Sequence, residues 1–222
     1  MQNSTMTEAV EQRSGRQTDE AAEKTKEAIL AAALSEFAKY GFEGSSLRNI
    51  AKAAGTTHGL IRHHFGSKED VFYAVVDQSI ESYGKNERFL IGQLSNQDLD
   101  DPKKLIAIHK ELLRNFARIS AERPEMMRML MHEGSKPSER LAYLYKKIEE
   151  LNDSYHHFFE HLHQKDILPY LDHESCFLFI LTNLGLVFGL SEVSSHYVGG
   201  DILHERLEAY TERIIKILYP ND

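Results

Sequence analysis

Between residues 41 and 67 the chain alternates helix-stopping glycines with helix-starting hydroxyl residues, at intervals too short for anything but small helices. Gly41 precedes Ser45 and Ser46, Gly55 precedes Thr57, and Ser67 has Asp70 three positions on. Glycine tolerates the backbone that ends a helix, while Ser or Thr accepts the free N–H groups that begin the next one. Ser67 and Asp70 have capping-box spacing. The pattern predicts a first helix ending at Tyr40, with Ile29, Leu30, Ala33, Leu34 and Phe37 on its apolar face. A short helix over residues 47–54 follows, capped by Ser45 or Ser46. A second short helix runs from Thr57 to about Phe65, and a long one starts after Ser67. Two short helices about a glycine turn form the helix-turn-helix arrangement, in which one helix braces and the next enters the DNA major groove. Ile50, Ala51 and Ala54 suit a close crossing, and residues 56–64 are polar except for Leu60 and Ile61, the expected inward anchors.

The rest of the chain keeps the three- and four-residue apolar spacing of helices and lacks strand-like alternation. Pro102 opens a helix carrying Leu105, Ile108, Leu112 and Phe116; Pro124 opens a Met-rich one closed by Gly134. Ser138 caps a helix through Phe159, Asp172 caps one over residues 174–195, and a last helix runs over 202–218. The expectation is an all-α protein of about nine helices, with a three-helix head and a larger helical body. The expected division is an unstructured arm over 1–17, a DNA-binding head over 18–66 whose first helix starts after Thr18, and an effector-binding and dimerisation domain over 67–222.

A formal net charge of -8 argues against a nucleic-acid partner until it is divided along the chain. Residues 24–72 carry seven basic and five acidic groups, whereas residues 73–222 carry seventeen basic and twenty-four acidic ones. The positive balance therefore falls where phosphate contacts would need it. The single cysteine, Cys176, excludes an internal disulfide framework and suits a reducing cytoplasm. No stretch is apolar for the roughly 20 residues a membrane span needs, so no membrane role is expected. There is no phosphate loop, nucleophile elbow or HExxH run, which leaves no basis for an enzyme and implies no cofactor.

The run Ile29-Leu30-x-Ala32-Ala33-x3-Phe37-x3-Gly41-Phe42-x-Gly44-x-Ser46-Leu47-x2-Ile50-Ala51-x2-Ala54-Gly55, continued by Gly59-Leu60-Ile61-Arg62-His63-His64-Phe65-x-Ser67-Lys68-Glu69, resembles the head of the TetR (tetracycline-repressor) family. The resemblance implies a cytoplasmic homodimeric repressor that binds a palindromic double-stranded operator and is released by a small-molecule effector. It implies that Ser46 and Arg48 meet phosphate or a base edge. It places Thr57, His58 and Gly59 at the groove-facing start of the recognition helix. Arg62, His63 and His64 would reach backbone or bases, and Lys68 would contact phosphate. The chain departs from the family where Arg62 replaces the usual Tyr, Leu60 a small hydroxyl residue, and Thr56 a usual Val. Arg62 would replace a Tyr–phosphate bond with a charged one.

In the body, the last two helices are expected to pair with a second copy. Phe177, Ile180, Leu181, Leu184, Gly185 and Phe188 would form one strip, and Leu207, Tyr210 and Ile214 the other. An apolar effector site is expected among Leu112, Phe116, Met126, Met127, Leu130, Tyr155, Phe158 and Phe159, with Asn183 or His132 as a polar anchor. Two rivals remain. His156, His157, His161 and His163 contain a four-residue spacing able to share a metal, which would make a metal-responsive regulator. A helical adaptor that binds no DNA is the other.

Overall fold

The computed structural model describes residues 2–221; for residues 2–19 and for Asn86, Asn96, Asn152 and Ser154 only the backbone is described. The expected unstructured arm lies outside the residues whose side chains are described. Among the described residues, twelve α-helices occur in order: α1 (Gln2–Gly44), α2 (Leu47–Ala53), α3 (His58–His64), α4 (Lys68–Gly92), α5 (Asn96–Asp100), α6 (Pro102–Glu122), α7 (Pro124–Glu133), α8 (Glu139–Gln164), α9 (His173–Leu181), α10 (Val187–Gly189), α11 (Ser191–Val198) and α12 (Leu207–Leu218). A π-helical turn, Thr182–Leu186, joins α9 to α10. No strand occurs among the described residues, so the chain is all-α.

Residues 1–75 and 76–222 form two compact units, and the division falls inside α4. A head ending at residue 66 would omit Val71, Phe72 and Val75, all buried. The head's centre is an aromatic trio: Phe37 and Phe72 meet edge-on at 5.4 Å, and Phe42 lies 5.8 Å from Phe37 and 5.7 Å from Phe72. Ile29, Ala33, Ile50 and Ile61 are fully buried or nearly so. α1 continues past Tyr40 to Gly44, broken at Gly41, whose φ of 67° and ψ of 173° are non-helical.

The body is built on α6 and α8, whose inward faces meet α9, α10 and α12 in one core. Leu105, Leu113, Phe158, Leu162, Leu184 and Phe188 are among its most buried members. Three expectations change here. α5 adds a short helix with its own capping box, Ser95 with Asp98. The single helix expected over 174–195 is broken at the π-turn and again after Gly189, where the axis bends by 99°. The last helix starts at Leu207, not at 202, because Asp201 takes the N–H of Leu203 at 2.8 Å and its carbonyl takes that of Arg206 at 2.9 Å, closing a turn instead. Among the described residues, no single helix is long and apolar enough to cross a membrane.

Candidate functional site

The turn between α2 and α3 closes as a Schellman motif. Thr56 N–H donates to the Ala51 carbonyl at 2.9 Å and Gly55 N–H to that of Lys52 at 3.3 Å. Gly55 holds the left-handed φ of 64° that this closure requires. Ser46 then caps α2 by accepting from Asn49 N–H at 3.2 Å, and Thr57 caps α3 by accepting from Leu60 N–H at 3.2 Å. Asn49 donates to Glu36 at 2.9 Å, tying the start of α2 to α1.

On α3, Ile61 is fully buried and is the anchor, whereas Leu60 is 36% exposed. The inward role expected for Leu60 is corrected: it lies about 100° around the helix from Ile61, and α3 is so short that only the Ile61 side is covered by the rest of the head. Thr57, His58, Gly59, Arg62 and His63 are exposed together with Arg48 of α2, and His64 and Ser46 are half-buried. A Cβ added at Gly59 would meet nothing within 4 Å. The head therefore presents a polar surface with Leu60 as its apolar member. Lys68 behaves differently from its neighbours. Its Nζ donates to the carbonyls of Phe42 at 2.9 Å and Ser45 at 3.1 Å and lies 4.2 Å from the Phe42 ring centre. The ammonium thus braces the α1–α2 corner. Beside it, Ser67 and Asp70 form the expected reciprocal cap, with bonds of 2.8 and 3.1 Å. Ser67, donating its hydroxyl at 2.7 Å and its N–H at 2.8 Å, holds the Asp70 carboxyl below its ordinary range.

In the body, a cavity of about 80 Å³ lies between α4, α6, α7, α8 and α9. Leu112, Phe116, Met126, Met127, Leu130 and Tyr155 line it, as expected. Phe158 and Phe159 do not; they are buried in the α6–α8 core. Asn183 does not either, because its amide donates to the Phe179 carbonyl at 2.9 Å within the π-turn. His132 is likewise absent from the lining. The wall contains a group that periodicity did not pick out, Glu87 of α4. Its Oε1 is buried without a hydrogen-bond partner, and burial lifts the carboxyl to about 7 against the opposing charge of Arg88. A wider cleft of about 740 Å³ shares Leu130, Ile148, Phe177 and Leu181 with the cavity.

Phe177 and Leu181, expected at a dimer face, line both spaces. Ile180, Leu184, Gly185, Phe188 and Ile214 are buried within the chain, and Leu207 and Tyr210 are half-buried. The glycine pair does allow a close approach, but to this chain's own helices. A Cβ at Gly185 would lie 3.1 Å from Met127 Sδ, and one at Gly189 3.1 Å from Met127 Cβ. The apolar residues left exposed on these elements are Leu178, Leu190, Val193, Tyr197 and Ile217.

Four distant residues form a buried polar chain that spacing could not reveal. The His109 ring is hydrogen-bonded to the Tyr219 hydroxyl through Nδ1 and to Tyr155 Oη, at 2.6 Å, through Nε2; Tyr155 in turn lies 3.7 Å from Cys176 Sγ. Burial pushes His109 down to about 3, so the ring is neutral at pH 7 and donates through one nitrogen while accepting through the other. The same burial raises the Cys176 thiol to about 11, which suits an inert core cysteine. Among the described residues, no three His, Cys, Asp or Glu side chains come together as a metal site. His156 lies 3.5 Å from Glu160 on α8 and meets His173 of α9, with ring centres 4.5 Å apart.

Residues 29–75 match the family profile described as bacterial regulatory proteins, tetR family. The chain is 30% identical to the transcriptional repressor NicS of Pseudomonas putida over 117 residues, 51% of each protein, so it spans about half the length of that curated relative. The whole-chain fold is similar to that of a Clostridium perfringens regulator assigned to fatty acid metabolism, with a TM-score of 0.68 and 20% identity over 88% of this chain and 98% of that one. It is also similar to AibR, solved in complex with isovaleryl coenzyme A and operator DNA, with a TM-score of 0.61 and 18% identity over 88% and 98% of the two chains. At such identities the structural likeness shows the fold alone. The N-terminal head, residues 29–75, thus carries the helix-turn-helix region of the tetR family of bacterial regulatory proteins.

Proposed function

We propose that this chain is a sequence-specific DNA-binding transcriptional repressor, acting in the cytoplasm as a homodimer that a small molecule releases from its operator. The observation that carries the reading is the surface of α2 and α3: Arg48, Thr57, His58, Gly59, Arg62 and His63 exposed on a capped helix-turn-helix. Arg62 and Arg48 supply charge for phosphate or guanine contacts. The open space at Gly59 suits a close approach of DNA backbone. Lys68 contributes chiefly as a brace, with phosphate contact left to its remaining N–H.

One head reads too few base pairs for specificity, and paired heads read half-sites about 34 Å apart. The exposed apolar residues Leu190, Val193, Tyr197 and Ile217 supply the face for pairing two copies. Release rests on α4, one continuous helix whose first residue is Lys68 and whose later turns place Ile80, Tyr83 and Glu87 in the cavity wall. A ligand that prefers one position of this helix shifts the equilibrium by its difference in affinity for the two states, and by no more. NicS, named as a repressor, and AibR, solved with operator DNA and a small molecule, support the reading.

Selection of bound sequences from a random DNA pool, followed by gel shift, tests it. An enriched palindrome bound by two copies is expected; no enrichment, together with a monomer in sedimentation, would refute it.

A further inference from the structure

The polar groups in the cavity wall are few, and they are not equivalent. Tyr83 donates to Ser120 at 3.4 Å, Tyr155 is held by His109 and Cys176, and Asn115 accepts from Arg118 at 2.7 Å. Glu87 Oε1 is the described polar lining atom without a partner, and the rest of the wall is aliphatic, aromatic or thioether. A lone buried carboxyl surrounded by apolar side chains is costly to keep unless something it binds restores the lost solvation. The cleft that shares Leu130, Ile148, Phe177 and Leu181 with the cavity has the same bias. Glu149, Asp153 and Glu174 line it, and no lysine or arginine occurs among its described lining residues. Of its histidines, His173 is held below the ordinary imidazole range by burial and by the neighbouring His156.

Resting on the reading of this cavity as the effector site, we infer that the effector is a hydrophobic organic cation: a protonated amine whose nitrogen binds Glu87 and whose apolar body extends past Leu130, Ile148 and Leu181 into the cleft. The inner space of about 80 Å³ accepts a small head group, while the cleft of about 740 Å³ has room for a chain or ring. An anionic ligand such as an acyl coenzyme A would have to bring its phosphates past three carboxylates and leave Glu87 unpaired. The structure therefore favours the cation.

The charged and titratable groups facing Glu87 are Arg88 and Tyr83 on its own helix and Tyr155 from α8; α6 presents Asn115, and α7 and α9 present apolar side chains. Of these only Glu87 changes charge between pH 6 and 8, with the carboxyl near 7.

The test compares four probes on the intact protein by calorimetry: octylamine, octanol, octanoate and octanoyl coenzyme A. Octylamine is expected to bind at least tenfold more tightly than octanol, and octanoate and the thioester more weakly than either. Glu87→Gln should reduce octylamine affinity at least tenfold and leave octanol within threefold. Wild-type affinity for octylamine should fall about tenfold from pH 8 to pH 6, as the free carboxyl takes up its proton. Glu87→Gln keeps the side chain's shape and removes a buried charge, so folding is not at risk. A second variant, Glu149→Gln with Asp153→Asn and Glu174→Gln, should lower octylamine affinity without touching the inner site. If octanol binds but octylamine is not preferred, or if Glu87→Gln leaves their ratio unchanged, the cation inference fails and the cavity reading survives. If none of the four binds, both fail.

Discussion

In the head, the large apolar side chains close around the Phe37–Phe42–Phe72 trio, and hydroxyl caps satisfy the helix starts. In the body, a comparably buried core coexists with a cavity, an unpaired carboxyl at Glu87 and a polar chain from Tyr219 through His109 to Tyr155. The head holds a fixed surface, for which tight packing and local caps suffice. The body keeps polar groups and space that a purely structural core would eliminate, because unpaired buried charge costs stability. The effector-binding role proposed for the body accounts for them.

The strongest way to break this contrast is Phe37→Ala. Loss of a fully buried ring in a closed core should cost about 3–5 kcal/mol. Thermal melts should show the head unfolding first while octylamine still stabilises what remains; a shift under about 1 kcal/mol would show that the head is not tightly packed.

Glu87→Gln should act with the opposite sign. Because the folded carboxyl sits near 7 and the unfolded one at 4.5, the native state holds its proton more tightly. That contribution is complete below pH 4.5 and is lost as pH rises through 7. The glutamine variant should therefore match wild type at pH 4.5 and exceed it by about 2–3 kcal/mol at pH 8 in urea melts. Equal stability at both pH values would mean that Glu87 is solvated.

Thr57→Ala should have the smallest effect on stability, about 1 kcal/mol for the lost cap. Its larger consequence is expected in DNA affinity, since it loosens the start of α3; a stability loss with unchanged affinity would place Thr57 outside the interface.

How much was legible in advance follows the same division. The caps at Ser46, Thr57, Ser67, Ser138 and Asp172 involve residues three apart, so spacing alone located them. Six cavity residues were legible because they lie on the inward stripes of α6, α7 and α8. Most of the expected dimer strip is buried or half-buried within the chain, because apolar periodicity marks buried residues without saying which partner buries them. The π-turn at 182–186 also changes the phase after α9, moving Leu190 and Val193 outward. Glu87 carries no local signal, being one acidic residue on a helix with several. The bond between His109 and Tyr219 spans 110 positions, beyond the reach of any spacing rule.

The central claim is that the exposed face of α3 reads DNA, and its most direct test is a fluorescence-anisotropy titration of the selected operator with wild type and Arg62→Ala. Arg62 is exposed on that face, while Ile61 beside it carries the packing. Arg62→Ala is expected to fold normally and to lose about 1–3 kcal/mol of operator binding, with a reduced salt slope if the contact is to phosphate. Unchanged affinity and salt slope in a folded Arg62→Ala protein would contradict it.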